Sequence, residues 1–314
     1  MSKVEQKKYP YIAILGPTAS GKSSLAMNLA KALSGEIVSC DSVQIYKGFD
    51  VGSAKPTREE QAQVKHHMID FLESDSSYDA AQYAEEARKK ILSIIEKGSV
   101  PIVVGGTGLY YRFLVGQKIH NLPSDEALRE KLKSLSQEEI LKQLTELDPK
   151  RKEQIHENDR YRLVRALEIA ILSKRSFSEQ ISSQEEGLEF PPLMTILLNP
   201  PRNILHERIA QRAEEMLELG LLEEVKVLRK KYPETMRAMQ TIGYKEANDF
   251  LSGTLDSKEE LLFRIICATR QYAKRQTTFF KKIDSDLTFP CGKEALARVV
   301  DTFQKEKKKQ EDEN

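Results

Sequence analysis

The chain has 314 residues, 39% hydrophobic and 31% charged, with a formal net charge of +1 at pH 7. This balance excludes a fibrous or disordered chain, and the length suffices for one α/β core carrying a smaller added domain. Near-neutrality excludes a protein that coats nucleic acid by bulk charge, while leaving room for local basic patches. No apolar run approaches the roughly 20 residues that span a bilayer, and Met1 to Pro10 is polar, so a cytoplasmic protein with no membrane partner is expected. Cys40, Cys267 and Cys291 are odd in number and widely separated, which predicts three reduced thiols.

Along the chain, Tyr11 to Leu15 is a short Ile-rich run that stops at Gly16-Pro17 and reads as a buried strand entering a loop. Ser23 to Leu33 follows with Leu25, Ala26, Leu29, Ala30 and Leu33 at helical spacing. Further strands are predicted at Glu36 to Ser39, His67 to Phe71, Val100 to Val104 and Leu193 to Leu198, with a helix over Asp79 to Glu96. The alternation predicts a doubly wound parallel α/β sheet of the P-loop NTPase-like type. Between about Gly116 and Pro191 no strand-like run occurs, and Asp125 to Leu135, Gln137 to Leu147 and Asp159 to Ser173 read as charged helices. A helical insertion domain is therefore expected at 118–189, within a core formed by 1–117 and 190–304, with a charged tail at 305–314. The core's later helices are expected at Asn203 to Leu219, Leu221 to Lys230 and Ser257 to Ile283.

The loop after the first strand, Gly16-Pro17-Thr18-Ala19-Ser20-Gly21-Lys22-Ser23, fits G-x-x-x-x-G-K-[ST] between a predicted strand and helix. Its glycines let the backbone N–H groups turn toward phosphate oxygens, the helix N-terminus adds positive potential, and Lys22 adds a full charge. Ser23 can approach a Mg²⁺ ion. The motif identifies a polyphosphate without identifying ATP. An ATPase would offer a second strand ending in an acid, whereas Val100 to Val104 runs into Gly105-Gly106-Thr107. The acid follows the neighbouring strand instead, as Asp41. Strand C-termini converge beside the phosphate loop in such a sheet, so Asp41 and Thr107 should both face the cleft. On position alone, Asp41 could also cap a helix or support the metal.

Several stretches resemble the tRNA dimethylallyltransferase (tRNA isopentenyltransferase) family, bacterial type. They are Gly16 to Ser23, Asp41-Ser42-Val43-Gln44-Ile45-Tyr46, Gly52-Ser53-Ala54-Lys55-Pro56, His66-His67-Met68-Ile69-Asp70 and Gly105 to Tyr110, then Asn158 to Glu168, Ile242-Gly243-Tyr244-Lys245 and Ala268 to Gln276. The resemblance implies transfer of a dimethylallyl group from its diphosphate to N6 of adenosine 37 in tRNA, with Mg²⁺. It implies Asp41 as general base, Arg212 as a diphosphate-binding arginine and Thr107 near the reacting base. For tRNA it implies contacts from Asp41, Ser42, Val43, Gln44, Thr107, Arg129, Tyr161, Arg162, Arg165 and the Gln240-Thr241-Ile242-Gly243-Tyr244-Lys245 run. A monomer acting on the anticodon stem-loop is expected.

Residue chemistry bears on each of these roles. Adenine's exocyclic amine is a poor nucleophile, so a carboxylate that takes its proton contributes about 10²–10⁴-fold. The departing diphosphate needs cationic stabilisation, which Lys22, the loop amides and Arg212 would provide. Arg208 and Arg212 share a helical face, although Arg212 could equally be a surface residue paired with Glu207 or Glu215. Thr107 could simply cap the turn that begins at Gly108. From Phe263 to Ile283 there are six basic residues and no acid; Arg270, Lys274 and Lys281 share one face, with Arg275 nearby and Tyr272, Phe279 and Phe280 interleaved. This is either an RNA-binding patch or an amphipathic helix with a solvated basic side. His66 and His67 are adjacent and favour structural roles. The alternatives are a P-loop nucleotide kinase, prenyl transfer to free adenine nucleotides, and an RNA-binding regulator; the last leaves Lys22 and Asp41 unexplained.

Overall fold

The computed structural model describes residues 8–73, 78–116, 123–173, 189–292 and 295–313. Two compact units emerge, residues 1–115 with 190–314, and residues 116–189. The boundary expected at 117/118 and the 174–188 stretch of the insertion lie outside the described residues. Among those described, no helix is long and apolar enough to cross a membrane.

The larger unit is built on a six-stranded sheet in the order β3-β2-β4-β1-β5-β6, with every pairing parallel. The strands are β1 (Tyr9–Leu15), β2 (Gly35–Ser39), β3 (His66–His67), β4 (Val100–Gly105), β5 (Pro192–Leu198) and β6 (Leu287–Phe289). Parallel strands covered on both faces read as continuous apolar runs, and all seven residues of β5 are buried. Alternation sends Ile12 and Ile14 of β1, Ile37 of β2, Ile102 of β4 and Ile196 of β5 to one face. There they pack with Leu25, Ala26 and Leu29 of α1 (Lys22–Leu33) and with Val299 and Phe303 of the last helix. Tyr83, on α3 (Ala80–Glu96), donates from its hydroxyl to the Ser39 carbonyl at 2.9 Å. It stacks on Tyr110 of α4 (Gly108–Leu114), with ring centroids 4.3 Å apart. Asp79 starts α3 as an N-cap with a reciprocal Gln82 bond.

Two expectations are corrected. The strand expected to reach Phe71 stops after two residues, because Met68 and Asp70 take left-handed φ values of 59° and 57° that no strand accommodates. The expected charged tail is instead the end of a helix, α13 (Leu296–Glu313). Val299 and Phe303, one turn apart, dock it on the sheet, and Lys305–Asp301 and Lys307–Glu311 pairs support its outer turns. The short helix α2 (Arg58–Gln63), with its Thr57–Glu60 capping box, was not anticipated by periodicity.

Residues 116–189 contain α5 (Glu126–Ser134), α6 (Gln137–Leu147), α7 (Pro149–Gln154) and α8 (Arg160–Ser173) among the described residues. Leu132, Ile140, Leu144, Ile155, Leu163 and Leu167 form their core. Beside that core the Glu168 side chain, 0% exposed, accepts from Arg129 Nε at 3.0 Å and Arg165 Nη1 at 2.6 Å. Its Oε1 also takes the Asp125 N–H at 2.8 Å. These donors hold the Glu168 carboxyl below its ordinary pKa against the opposing, and largest, effect of burial.

Candidate active site

β1 lies between β4 and β5, so the loops leaving β1, β2 and β4 converge at one sheet edge. The Gly16–Ser23 loop leaves β1 and turns into α1. Gly21 has φ of 91° and Gly16 sits too close to the Leu198 carbonyl, 2.4 Å from where a Cβ would be, so both positions demand glycine. Ala19 is held at φ of 60°, a left-handed strain of about 1 kcal/mol for a residue with a Cβ. Ser20 N donates to Pro17 O, and Thr18 N donates to Gln276 Oε1 at 2.8 Å. The N–H groups of Ala19, Gly21, Lys22 and Ser23 find no protein acceptor among the described residues, which is the arrangement that receives phosphate oxygens. Thr18, by contrast, commits its N–H elsewhere, so the expected cradle is narrower than the whole motif.

Lys22 exposes part of its stem, but its ammonium folds inward and donates to Pro17 O at 2.7 Å. Burial pushes this ammonium down to about 7; the Arg212 guanidinium adds to the fall, and Asp41 opposes it. Arg212 projects from α9 (Arg202–Glu218), and burial lowers its pKa too, against Asp41 and Glu215. Among the described residues no salt bridge joins Arg212 to Glu207 or Glu215; Glu215 instead takes the Gln211 amide at 2.8 Å. Arg208, one turn earlier, donates to Ser20 O at 3.4 Å and so braces the phosphate loop from outside.

Asp41 follows β2. Its Oδ1 accepts from Val43 N at 2.8 Å and Gln44 N at 3.3 Å, which caps the following turn and fixes the carboxylate plane. Among the described residues no hydrogen bond engages Oδ2. Thr107 stands at the N-cap position of α4, yet its hydroxyl makes no cap bond. It accepts from Ser42 N at 3.1 Å instead, tying the turn after β4 to the turn after β2.

Two adjoining cavities meet here. The smaller, about 110 Å³, is lined by Lys22, Ser23 and Gln276 among others. The larger, about 340 Å³, has an apolar side of Ile209, Ala213, Met216, Ile242 and Ile265. Thr18, Asp41, Ser53, Arg212 and Tyr272 line both. A carboxylate and a guanidinium thus stand where a phosphate compartment opens into an apolar one. Tyr272 is on α12 (Lys258–Phe280). Its hydroxyl is pushed up to about 12, chiefly by burial and then by Asp41, so it stays protonated and able to donate.

The remaining expected residues divide by environment. Ser42, Val43, Gln240, Thr241, Ile242, Gly243 and Arg275 line the larger cavity. Gln44 lines the smaller one, but its carboxamide is engaged with Ser39 Oγ and with the Ser53 and Ala54 carbonyls. Tyr244 is buried in α11 (Tyr244–Leu251) and donates to Glu224 at 2.6 Å. Lys245, Lys274, Arg275 and Lys281 are exposed, and Arg270 is half-buried. Phe280 is buried and Phe279 packs over Gly108, so two of the three aromatics interleaved on that helix serve packing. In the helical unit Tyr161 is 71% exposed and the Arg162 side chain 69%, whereas Arg129 and Arg165 are committed to Glu168. His66 Nδ1 lies 2.7 Å from Val64 O, and His67 Nε2 contacts Glu36, both structural contacts.

Residue types alone gave no role to Gln276, Lys55 and Glu224, and they marked Arg208 only as a neighbour of Arg212. Lys55, its side chain 3% exposed, is bonded to Asp50, Asp70 and the Tyr46 carbonyl. Glu224, on α10 (Leu221–Arg229), accepts from Asp50 N, Val51 N and Gly52 N as well as the Tyr244 hydroxyl. A signal for Gln276 did exist. It falls three residues after Ala273 and four before Phe280, both buried, so a polar side chain occupies the apolar stripe of its helix.

The sheet order, the phosphate loop and the acid–guanidinium pair beside it define a P-loop α/β protein equipped for group transfer from a polyphosphate. A family model described as IPP transferase matches residues 44–283, and the chain belongs to that family. A tRNA dimethylallyltransferase from Exiguobacterium sp. is 42% identical over 281 residues, covering 88% of each chain. The solved full-length tRNA isopentenylpyrophosphate transferase from Bacillus halodurans matches with a TM-score of 0.71 at 33% identity, covering 98% of this chain and 99% of that one. A solved eukaryotic dimethylallyltransferase acting on tRNA matches with a TM-score of 0.75 at 30% identity, covering 88% of this chain and 71% of that one.

Proposed function

We propose that the protein transfers a dimethylallyl group from dimethylallyl diphosphate to N6 of adenosine 37 in tRNA, in the cytoplasm and as a monomer. The observation that carries this reading is the placement of Asp41 and Arg212 on the shared wall of the phosphate and apolar compartments. The diphosphate is held by the free N–H groups of the loop, Lys22 and Arg212. The adenine amine attacks C1 of the prenyl group: the N6–C1 bond forms, the C1–O bond breaks, and diphosphate leaves with the electron pair. Asp41 accepts the N6 proton through Oδ2, Oδ1 being occupied by backbone donors. Thr107 contributes by holding Ser42, and thereby the turn that aims Asp41.

Mg²⁺ fits the donor set. Ser23 would supply a hard oxygen beside the phosphate compartment, and no cluster of three or more His, Cys, Asp or Glu groups suited to a metal occurs among the described residues. Few protein ligands suit an ion that completes its shell with water and substrate phosphate. Its chemistry there would be to neutralise the leaving diphosphate.

The exposed Tyr161, Arg162, Lys245, Lys274, Arg275 and Lys281 are offered to the anticodon stem-loop, as base-edge, stacking and phosphate contacts. The target adenine must leave its stack to reach Asp41. The test is to supply radiolabelled dimethylallyl diphosphate and Mg²⁺ with tRNA carrying an adenosine 36–38 run, and AMP as parallel acceptor. Label enters tRNA, and Asp41→Ala lowers the rate by about 10²–10⁴-fold without altering the fold. Label in AMP alone would move the protein to nucleotide prenylation; ATP consumption without transfer would return it to a kinase.

A further inference from the structure

The Gln276 carboxamide is 6% exposed and joins two backbone groups distant in the chain. Its Oε1 accepts from Thr18 N at 2.8 Å, in the phosphate loop, and its Nε2 donates to Gly106 O at 2.9 Å, in the turn that carries Thr107. Burying a primary amide is costly unless every polar atom finds a partner, so leucine or methionine would suit this stripe position better on packing grounds. The residue type therefore answers to its two contacts. Gly106 gives independent support. It does not adopt a left-handed φ, so backbone conformation does not require glycine there. A Cβ on residue 106 would instead lie 2.3 Å from Gln276 Nε2, and the missing side chain is the space the carboxamide fills.

We propose that Gln276 is a positioning residue that sets the separation between the diphosphate cradle and the Gly106–Thr107 turn, and so the alignment of the leaving oxygen with the attacking amine. The proposal rests on the prenyl-transfer reading above. From Gly106 the path runs to Thr107, whose hydroxyl holds Ser42 N, next to Asp41. Among the described residues Gln276 hydrogen-bonds to the loop at Thr18 alone, outside the N–H groups free to receive phosphate. Its loss thus disturbs alignment more than diphosphate binding, and a misplacement of about 1 Å costs on the order of 10²-fold in rate.

The experiment uses the full chain with three variants, Gln276→Ala, Gly106→Ala and the double. Single-turnover prenyl transfer to tRNA is measured at saturating substrates, and inorganic diphosphate with Mg²⁺ is titrated separately by calorimetry. The expected result is a fall of about 10²-fold in the rate for Gln276→Ala with diphosphate Kd within threefold of wild type. Gly106→Ala should lower the rate because its methyl displaces the carboxamide, and the double should match Gln276→Ala, since the methyl then displaces nothing. Rates within threefold of wild type, a Kd that weakens in step with the rate, or multiplicative single effects would each overturn the proposal. Should Gln276→Ala not fold, Gly106→Ala alone carries the same split between rate and Kd. A wild type that binds diphosphate yet prenylates no RNA would overturn the parent reading, and this one with it.

Discussion

In the core unit Arg212 has no carboxylate at salt-bridge distance among the described residues, and Lys22 donates only to a backbone carbonyl. In the helical unit Arg129 and Arg165 share the fully buried Glu168, which neutralises one charge, while Ser124 Oγ and the Pro123 carbonyl accept from them as well. Cations withdrawn from water without an ion-paired carboxylate are unfavourable, and burial lowers the pKa of both Lys22 and Arg212 although the nearby Asp41 opposes it. Such an arrangement is favourable only where an anion completes it. The Glu168 set is complete within the protein and acts as packing, so two arginines assigned to RNA by resemblance have a structural duty that comes first.

The largest effect expected from this contrast is at Arg212. Arg212→Ala should lower single-turnover prenyl transfer by about 10²–10³-fold, as loss of one preorganised donor to a developing anion does, with an unchanged unfolding transition. Glu168→Ala should act in the opposite way, lowering unfolding free energy by about 3 kcal/mol in a denaturant titration while the rate at saturating substrates is kept. That figure lies at the low end for breaking a buried pair because both guanidinium groups are 27% exposed. A stable Glu168→Ala protein would return Arg129 and Arg165 to the role of RNA ligands.

Lys22 gives the contrast a pH dependence. Its ammonium titrates at about 7, and an anion binds the protonated form better, so binding raises this pKa and takes up a proton. Diphosphate affinity should therefore fall as pH rises through 7, by at most about tenfold per unit, and calorimetry in buffers of different ionisation enthalpy should record proton uptake. Lys22→Arg should abolish this step. Arg212→Gln should move it to higher pH, because Arg212 is the neighbouring charge that lowers Lys22. The smallest effect is at Arg162, whose exposed side chain pairs among the described residues with Asp159 alone, at 3.3 Å. Arg162→Ala should weaken tRNA binding and reduce the slope of log affinity against log salt by about one, without changing stability.

The parallel α/β class was legible because each central strand is a short apolar run and each crossover helix has a 3.6-residue stripe; the strand order was not. The phosphate loop and Asp41 were legible because motif and context agree. What escaped had weaker local signals. Three-residue β6 and six-residue α2 and α7 are too short for periodicity to register, although Asp148-Pro149 marks the start of α7 as N-cap and N1. Glu224 and Lys55 escaped because their partners are backbone groups and side chains brought together only by folding, whereas Gln276 was marked as a polar residue in an apolar stripe with nothing in the sequence to name its partners. The fates of Arg129 and Arg165 depended on Glu168, a charge that sits on the buried side of α8 and looks like any other glutamate in a charged helix.

Glu224 receives three consecutive backbone N–H groups from Asp50, Val51 and Gly52, a small anion nest closed by the protein's own carboxylate. Gly52 and Ser53 form part of the larger cavity's wall. Fixing one residue's backbone costs about 1–2 kcal/mol of conformational entropy, and for this wall that cost is met during folding rather than on encounter with a substrate. On the proposed reading, a prenyl chain and an adenine ring entering the cavity would meet a surface whose shape is already set, so their binding free energy would not be consumed in ordering it.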